Sequence, residues 1–303
     1  MTHVIGIDIG GTSIKGVVAD RNGTLLTSLK LPTSASRGKA AILETLEQLI
    51  VQLKAGHPEV QAIGIGSAGR INTVTGEVVF ATDNLPGWQG TNIKQTIEER
   101  FKLPAAVDND ANVALLGEVW LGAGQGLQSA VMITLGTGVG GANMVAGELQ
   151  RGANWNGGEW GHVVLVPGGT ACNCGRVGCV EQYLSGNSLT RIASTHTGRS
   201  YPDGYSFMND VTNGDAKATS VMEQYLEHLT VFLGNLQLGI DPEAFIIGGG
   251  IIDSSANWWH QLEEKLGAFV QNGTKVHIRK AELGNTAGCY GAAKLAIDLL
   301  EQN

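Results

Sequence analysis

Four soft or borderline metal ligands lie close together near the middle of the chain. In the stretch GHVVLVPGGTACNCGRVGC, His162 is followed by Cys172, Cys174 and Cys179. Thiolate sulfur and imidazole nitrogen in a set of four suit tetrahedral zinc, although the C-x-C spacing is tighter than the usual C-x2-C. Because four protein ligands leave no open coordination position, such a zinc would be structural. The alternative is a group of buried free cysteines that binds no metal.

Three further polar side chains could be functional. Glu159 lies three residues before His162, and Glu181 follows the last of the three cysteines by two residues, so a metal site would fix the direction of both carboxylates. Asn84 follows a predicted strand and lies near Trp88 in the sequence. An amide beside an aromatic ring suits a sugar. The alternatives are solvated surface acids and an ordinary polar loop.

The string VDNDAN places Asp108 and Asp110 two residues apart, directly after a predicted strand. Clusters of Asn and Asp usually mark plain turns. The functional interpretation is a carboxylate at the end of a buried strand, because ligands of α/β folds bind at the carboxyl ends of strands.

Two glycine-rich turns between predicted strands could hold phosphate. In DIGGT, Asp8 precedes Gly10 and Gly11, and Thr12 follows them; in LGTGV the turn is formed by residues 136–138. The N–H groups of such turns point outward, and glycine lets an anion come close. Asp8 could hold a metal–phosphate complex, and Thr12 could bond a phosphate oxygen. One copy alone could be an ordinary hairpin, but two copies in parallel positions favour phosphate binding.

Two strings match G-x-G-x-x-G, at residues 64–69 and 136–141, but neither indicates a dinucleotide site. That fingerprint requires a helix immediately after the glycines. Here the residues that follow both strings are typical of a strand or a loop. No G-x-x-x-x-G-K-[ST] string is present, so the sequence does not indicate a P-loop protein.

The elements that must position these residues alternate between strands and helices. The first three β-rich runs, VIGIDIG, SIKGVVAD and TLLTSLKL, are separated by turn signals and predict an antiparallel meander. Helical and strand patterns then alternate in the order helix KAAILETLEQLIVQLKAG, strand VQAIGIGSAG, helix NIKQTIEERFKL, strand PAAVDND and helix ANVALLGEVWLGAG.

The opening plan then repeats. Residues 129–150 again read as strand, glycine-rich hairpin with threonine, strand and tight turn, which indicates an internal duplication. A mostly helical region follows over residues 185–238, then a strand ending in three glycines within 241–252, and a helix over 287–303. Alternating strands and helices predict an α/β fold, and the repeated hairpin predicts two related halves facing a cleft.

Composition narrows the classes of function. The 303 residues suffice for two domains, and the net charge of −8 without a basic patch argues against nucleic acid or an anionic membrane as partner. No run of about 18 apolar residues is present, and the first residues do not resemble a signal peptide. Three clustered cysteines and a separate Cys289, which we interpret as a core residue, do not resemble a disulfide framework, so we expect a cytoplasmic protein.

Taken in order, these strings resemble the ROK family (repressor, open reading frame, kinase). DIGGTSIKG and LGTGVGGA resemble its phosphate motifs, GIGSAG its sugar-proximal glycine segment, and VDNDAN its catalytic strand end. GEWGH followed by CNCGRVGCVE is similar to the zinc and sugar signature, with Thr170 as a tolerable departure, and IIGGGI resembles the adenosine-side glycines. The likeness runs from about Asp8 to Gly291.

The resemblance implies the actin-like (ribonuclease H-like) sugar-kinase fold, with two α/β domains around a cleft. We expect an N-terminal domain over residues 1–118, joined by a C-terminal helix at about 290–303, and a C-terminal domain over 119–289 that carries the zinc site. ROK repressors carry an N-terminal DNA-binding domain. Because the first phosphate motif here begins at Asp8, the kinase branch is expected.

The activity implied is transfer of the γ-phosphoryl group of ATP to the 6-hydroxyl of a hexose, with Asp110 as general base, Asp8 helping to hold Mg²⁺, and structural Zn²⁺. The residues implied to surround the sugar are Gly69, Asn84, Asn109, Asp110, Glu159, His162 and Glu181. Those implied to bind the nucleotide are Asp8, Gly10, Gly11, Thr12, Lys15, Gly136, Thr137, Gly138, Gly248, Gly249 and Gly250.

The acceptor stays open among several sugars. The segment RGANWNGGEWGH favours glucose or N-acetylmannosamine. N-acetylglucosamine, fructose and β-glucosides are the alternatives within the family, and a non-catalytic ROK-type sugar sensor is the alternative to an enzyme. The resemblance also implies a homodimer.

Overall fold

The computed structural model describes residues 2–82, 84–270 and 273–302. The strands are β1 (His3–Ile9), β2 (Ser13–Asp20), β3 (Leu25–Pro32), β4 (Val60–Ser67), β5 (Arg70–Asn72), β6 (Glu77–Phe80), β7 (Ala105–Asn109), β8 (Ala130–Leu135), β9 (Val139–Val145), β10 (Glu148–Leu149), β11 (Ala244–Gly248) and β12 (Ile278–Lys280). The α-helices are α1 (Lys39–Gly56), α2 (Ile93–Phe101), α3 (Asp110–Leu121), α4 (Glu181–Leu184), α5 (Gly186–Thr197), α6 (Gly204–Thr212), α7 (Ala216–Ile240), α8 (Trp259–Phe269) and α9 (Ala287–Gln302).

The chain forms two compact units. Unit 1 comprises residues 1–126, 149–157 and 282–303, and unit 2 comprises residues 127–148 and 158–281. The second domain expected from the sequence, residues 119–289, is larger than unit 2. Residues 119–126, 149–157 and 282–289 belong to the compact unit 1 instead. The buried Glu118 carboxylate on α3 explains two of these assignments, because it accepts hydrogen bonds from the backbone N–H groups of Ala123, Glu282 and Leu283.

Unit 1 contains a five-stranded sheet in the order β3-β2-β1-β4-β7. The pairs β1–β2 and β2–β3 are antiparallel, so the predicted meander is confirmed, while β4 and β7 continue the sheet in parallel with β1. Helix α1 buries Ile42, Leu46, Leu49 and Leu53, which recur at helical spacing and pack against one face. Helix α9 covers the other face through Cys289, which is buried as expected.

Two glycines allow α9 to lie directly on the sheet of unit 1. A Cβ atom at Gly6 would come within 2.1 Å of the Cys289 carbonyl oxygen, and one at Gly64 within 1.7 Å of the Ala292 carbonyl oxygen. Since no side chain fits in that space, β1 and β4 are held close to the helix axis. The carboxyl ends of β1 and β4 therefore continue from strands that pack directly against α9.

Unit 2 repeats the plan of unit 1. Its five-stranded sheet has the order β10-β9-β8-β11-β12, with β8 and β9 antiparallel and β11 and β12 parallel to β8. Strands β8 to β12 thus correspond in order and direction to β1, β2, β3, β4 and β7, which supports the predicted duplication. Helix α7 buries much of its length in the core of this unit, together with Leu189, Phe207, Trp258 and Leu262 from the surrounding helical segments.

The structure also contains elements that sequence reasoning did not predict. These are helix α8, strand β12 and strand β6; β5, over residues expected to form a strand or a loop, pairs with β6 in a small hairpin. Within the described parts of the chain, no helix combines the length and apolar character that a membrane span would need.

Candidate functional site

The carboxyl ends of three parallel strands in unit 1 bring several of the expected residues together. The register pairs Asp8 of β1 with Gly66 of β4, and Gly66 with Asp108 of β7. Each strand continues into a turn, and the turn after β1 holds residues 10–12 while the bend after β4 holds Gly69. This edge of the sheet is where α/β folds bind ligands.

Asp110 is the first residue of α3, and its neighbour Asn109 fixes its place. The Asn109 Oδ1 atom caps the helix by accepting from the N–H groups of Ala111 at 2.9 Å and Asn112 at 3.2 Å. The Asn109 Nδ2 atom donates to the Gly69 carbonyl oxygen at 2.9 Å. Asn109 therefore joins the bend after β4 to the start of α3, and three expected sugar-site residues lie in one network.

The Asp110 carboxylate lies close enough to influence the charge of Asp8. Burial, followed by the nearby Asp110 carboxylate, raises the pKa of Asp8 to about 6, against a smaller lowering by Lys15. Burial also raises the pKa of Asp110. The Lys15 Nζ atom lies 3.9 Å from Asp8 Oδ2 and donates to the Asn285 carbonyl oxygen at 3.2 Å. Two neighbouring carboxylates that are hard to ionise together form an oxygen donor set that suits Mg²⁺.

Asp108, the first acid of VDNDAN, has a different role from Asp110. Its side chain is buried, and Oδ2 accepts from Arg151 Nε at 2.7 Å. Its Oδ1 atom accepts from Asn112 Nδ2 at 2.8 Å and from the Asn109 N–H at 2.7 Å. Because both of its carboxylate oxygens accept hydrogen bonds, Asp108 fixes the end of β7. Sequence reasoning did not identify Arg151, which lies 43 positions away from Asp108.

The turn after β1 is a tight hairpin. The Gly10 N–H donates to the Ser13 carbonyl oxygen at 3.1 Å, and Thr33 Oγ1 donates to the Gly10 carbonyl oxygen at 2.6 Å. A Cβ atom at Gly11 would lie 3.8 Å from the Asn84 carbonyl oxygen, so the loop that carries the exposed Asn84 passes beside this turn. The neighbouring Asp83 lies outside the described residues.

The corresponding turn of unit 2, residues 136–138, is supported by a carboxylate. Glu181 Oε2 accepts from the Val139 N–H at 3.0 Å, and a Cβ atom at Gly138 would lie only 2.4 Å from that oxygen. The N–H of Gly186, at the start of α5, donates to the Gly136 carbonyl oxygen at 2.7 Å. Glu181, which was expected at the sugar, therefore contacts the turn at residues 136–138, and no sequence pattern indicated this contact.

The three glycines after β11 lie beside the same turn of unit 2. Gly249 has a φ of 89°, and a Cβ atom there would come within 2.4 Å of the carbonyl oxygen of Leu135, the last residue of β8. Gly248 pairs with Thr134 in the sheet, and a Cβ atom at Gly250 would meet open space. The backbone of this segment can therefore approach a ligand closely.

The four expected metal ligands of unit 2 converge. The ligand atoms of His162, Cys172, Cys174 and Cys179 all lie within 4.8 Å of one another. Cys172 Sγ is 3.8 Å from His162 Nδ1, and Cys174 Sγ is 3.6 Å from Cys179 Sγ. Ligands at the usual zinc–nitrogen and zinc–sulfur distances would be about 3.3–3.8 Å apart in a tetrahedron. The donor set and its spacing therefore fit a tetrahedral metal.

The neighbouring thiols of this cluster shift one another's pKa, that of Cys174 downwards and that of Cys179 upwards. Burial, followed by the neighbouring Cys174 and Cys172, raises the pKa of the Cys179 thiol to about 12. A metal ion reverses such a shift, since it binds the thiolates and displaces their protons. Glu159 lies at the other side of the His162 turn, where its carbonyl oxygen accepts from the His162 N–H at 3.0 Å. The acid and the imidazole are thus fixed by one short turn.

Known protein families provide an independent comparison for these residues. A profile of the ROK family matches residues 4–299. The chain belongs to the ROK family.

Similar proteins have been described within this family. A glucokinase from Halalkalibacterium halodurans is 34% identical over an alignment of 313 positions, gaps included. The alignment covers 96% of this chain and 94% of that protein. A ROK hexokinase from Thermus thermophilus has a TM-score of 0.89 at 32% identity, covering 100% of both chains. A ROK glucokinase from Streptomyces griseus, solved with glucose and AMPPNP, has a TM-score of 0.84 at 32% identity, covering 98% of this chain and 99% of that one.

These comparisons confirm the family resemblance read from the motifs and the α/β, actin-like fold class that it implied. The roles of the individual site residues stay predictions.

Proposed function

We propose that the protein is an ATP-dependent hexose kinase of the ROK family that phosphorylates glucose at the 6-hydroxyl. The observation that carries the proposal is the position of Asp110, which begins α3 at the carboxyl edge of the unit 1 sheet, beside Asp8. The similarity to glucokinases, one of them solved with glucose and AMPPNP, supports glucose as acceptor and ATP as donor.

In the proposed reaction, Asp110 accepts the proton of the 6-hydroxyl. The hydroxyl oxygen forms a bond to the γ-phosphorus, the bond from that phosphorus to the β,γ-bridging oxygen breaks, and ADP leaves. Because burial raises the pKa of Asp110, its carboxylate is a stronger base than an exposed one. The Asn109 cap keeps the carboxylate in place, which matters because phosphoryl transfer depends mostly on positioning.

The phosphate groups would be held by the two hairpin turns, through the backbone of Gly10, Gly11, Gly136 and Gly138 and the hydroxyls of Thr12 and Thr137. Asp8 would help to hold Mg²⁺, which neutralises phosphate charge when bound. Lys15 lies beside Asp8 and adds a positive charge near that position. The glycines at 248–250 would lie along the nucleotide, where their backbone allows close approach.

Sugar selectivity would come from the polar groups that the family resemblance assigns to the sugar, namely Gly69, Asn84, Asn109, Asp110, Glu159, His162 and Glu181. A buried polar group whose partner hydroxyl is absent is left unpaired, so such a site discriminates strongly among sugars. In this proposal the cysteine cluster holds structural Zn²⁺, which fixes the ring of His162. The homodimer implied by the family resemblance belongs to the same proposal.

A coupled ADP-release assay tests the proposal. With ATP and Mg²⁺, we expect glucose to give the highest kcat/KM in a panel that includes N-acetylmannosamine, N-acetylglucosamine, fructose and a β-glucoside. Preference for another hexose would change the acceptor and leave the kinase assignment in place. Sugar binding by calorimetry without ADP release for any sugar would instead indicate a sensor.

The pH dependence of kcat/KM provides a second test. Asp110 must be deprotonated to accept a proton, and burial raises its pKa, so activity should be complete above the raised pKa and fall as the pH drops through it. We therefore expect the acid limb above 3.8, the ordinary pKa of an aspartate carboxyl. A profile measured with saturating Mg²⁺ and a pH-independent coupling control would show this limb. Because Asp8, with a pKa of about 6, titrates in the same range, the profile is also measured on the residual activity of Asp110→Asn, and an acid limb that persists there unchanged would exclude Asp110 as the titrating base.

A further inference from the structure

A second cluster of metal-ligating side chains lies in unit 1, at the end of the sheet opposite the candidate catalytic carboxylates. His3 begins β1, His57 caps the C-terminus of α1, and Glu59 directly precedes β4. One ligand atom from each lies within 4.8 Å of the others. Asp8 follows His3 by five positions along β1, which corresponds to about 17 Å along the strand. This cluster is therefore distinct from the site described above.

The three side chains converge on one carboxylate oxygen. His3 Nδ1 lies 2.5 Å from Glu59 Oε1, and His57 Nδ1 lies 3.5 Å from the same oxygen. The two imidazole rings are perpendicular neighbours with centroids 6.2 Å apart. Two imidazoles and one carboxylate form a donor set typical of open metal sites, in which solvent or a ligand completes the coordination.

A neighbouring hydroxyl orients one of the imidazoles. Thr27 Oγ1 on β3 is 2.7 Å from His57 Nε2. When Nε2 carries the proton and donates to Thr27, the lone pair of Nδ1 points towards Glu59. Metal-binding histidines commonly use their second nitrogen in this way, which fixes the tautomer and the direction of the ring.

Burial and charge also suit a cation at this position. The side chains of His3 and His57 are 15% and 18% exposed, whereas that of Glu59 is 44% exposed, so the imidazoles are fixed and the carboxylate reaches solvent. Asp20, which pairs with His3 across β1 and β2, adds a second negative charge nearby. Its Oδ1 atom accepts from the N–H groups of Asn22 and Thr24, so we assign it no ligand role.

We propose that His3, His57 and Glu59 bind a divalent transition metal ion of the class that prefers imidazole ligands. The ion joins the start of β1 to the α1–β4 connection, segments separated by more than fifty residues. Because these ligands meet only in the folded chain, the ion stabilises unit 1 by binding the native state alone. This site is independent of the kinase assignment.

Equilibrium dialysis with Ni²⁺ tests the site on the untagged protein, freed of other metals beforehand. We expect the wild type to bind one more equivalent of Ni²⁺ than His57→Ala or His3→Ala. Any Ni²⁺ held by the cysteine cluster is common to all three proteins and cancels in the difference. His260→Ala is the matched control, because His260 is 85% exposed beside Glu263 and Glu264 but has no second imidazole in its cluster. That variant should bind as much Ni²⁺ as the wild type.

Two further measurements keep the test decisive. Ni²⁺ should raise the Tm of the wild type and of His260→Ala, but not that of His57→Ala. Thr27→Val should weaken Ni²⁺ binding by about 10- to 100-fold while the ligands stay in place. If a histidine variant fails to fold, the exposed Glu59→Gln substitution takes its place and should also weaken binding. Equal Ni²⁺ stoichiometry and affinity in the wild type and the cluster variants would overturn the proposal.

Discussion

Asp110→Asn is expected to lower kcat by about 10²- to 10⁴-fold, the contribution usual for a positioned general base. The amide cannot accept the hydroxyl proton, but it has the same shape, and its oxygen can still accept from the Ala111 N–H as Asp110 Oδ1 does at 2.9 Å. The start of α3 should therefore stay intact, and glucose should bind with nearly unchanged affinity. Steady-state kinetics and calorimetric titration with glucose separate the two effects.

Asp108→Asn supplies the contrast for this experiment. Asp108 is the same residue type two positions earlier, but both of its carboxylate oxygens are occupied and Arg151 pairs with it. Arg151 is 27% exposed, so this partly buried pair falls in the range of a hydrogen bond between charged groups, about 1.5–3 kcal/mol, and Asp108→Asn should lose more Tm than Asp110→Asn. Asp110→Asn with near-normal kcat, or with a Tm loss as large as that of Asp108→Asn, would remove Asp110 from the role of base.

Local sequence signals predicted the elements that hold this site. Glycine-rich turns between apolar runs marked both hairpins, and VDNDAN marked a strand end because its polar residues directly follow a buried strand. The duplication was visible because each half opens with the same short pattern, and the sheet orders of the two units agree with it. The hairpins, the strand end and the duplication could be predicted because each depends on residues that are close together in the sequence.

Contacts between distant residues left no such signal. Arg151 meets Asp108 across 43 positions, and Glu181 meets the Val139 N–H across 42. The His3 and His57 rings meet only because β1 and β4 are adjacent in register. Glu118 likewise binds the backbone of residues 164 and 165 positions away. These pairings are set by tertiary packing, which a single sequence does not display.

Cys172→Ser is expected to lose the bound zinc and, with it, most of the affinity for glucose. Cys172 Sγ lies against His162 Nδ1, and Cys179 Sγ contacts the His162 carbonyl oxygen at 3.6 Å, so one ion would fix the whole turn that holds Glu159 and His162. A serine hydroxyl is a much weaker zinc ligand than a thiolate. Zinc content by mass spectrometry and glucose affinity by calorimetry measure the two losses.

Cys289→Ser is the matched control for this substitution. Cys289 is buried in α9, and its backbone lies against Gly6 in unit 1, so the change alters a core cysteine without touching the cluster. It should keep one equivalent of zinc and the wild-type glucose affinity, although its Tm should fall.

The kinetics of Cys172→Ser then distinguish a structural metal from a catalytic one. If zinc only shapes the sugar pocket, KM for glucose should rise steeply, while kcat at saturating glucose should fall much less, because Asp8 and Asp110 lie in unit 1 and need no zinc. A fall in kcat with unchanged glucose affinity would give the metal a part in the chemistry. Wild-type protein without zinc, yet with normal glucose affinity, would show that the cysteine cluster works as a metal-free structural core.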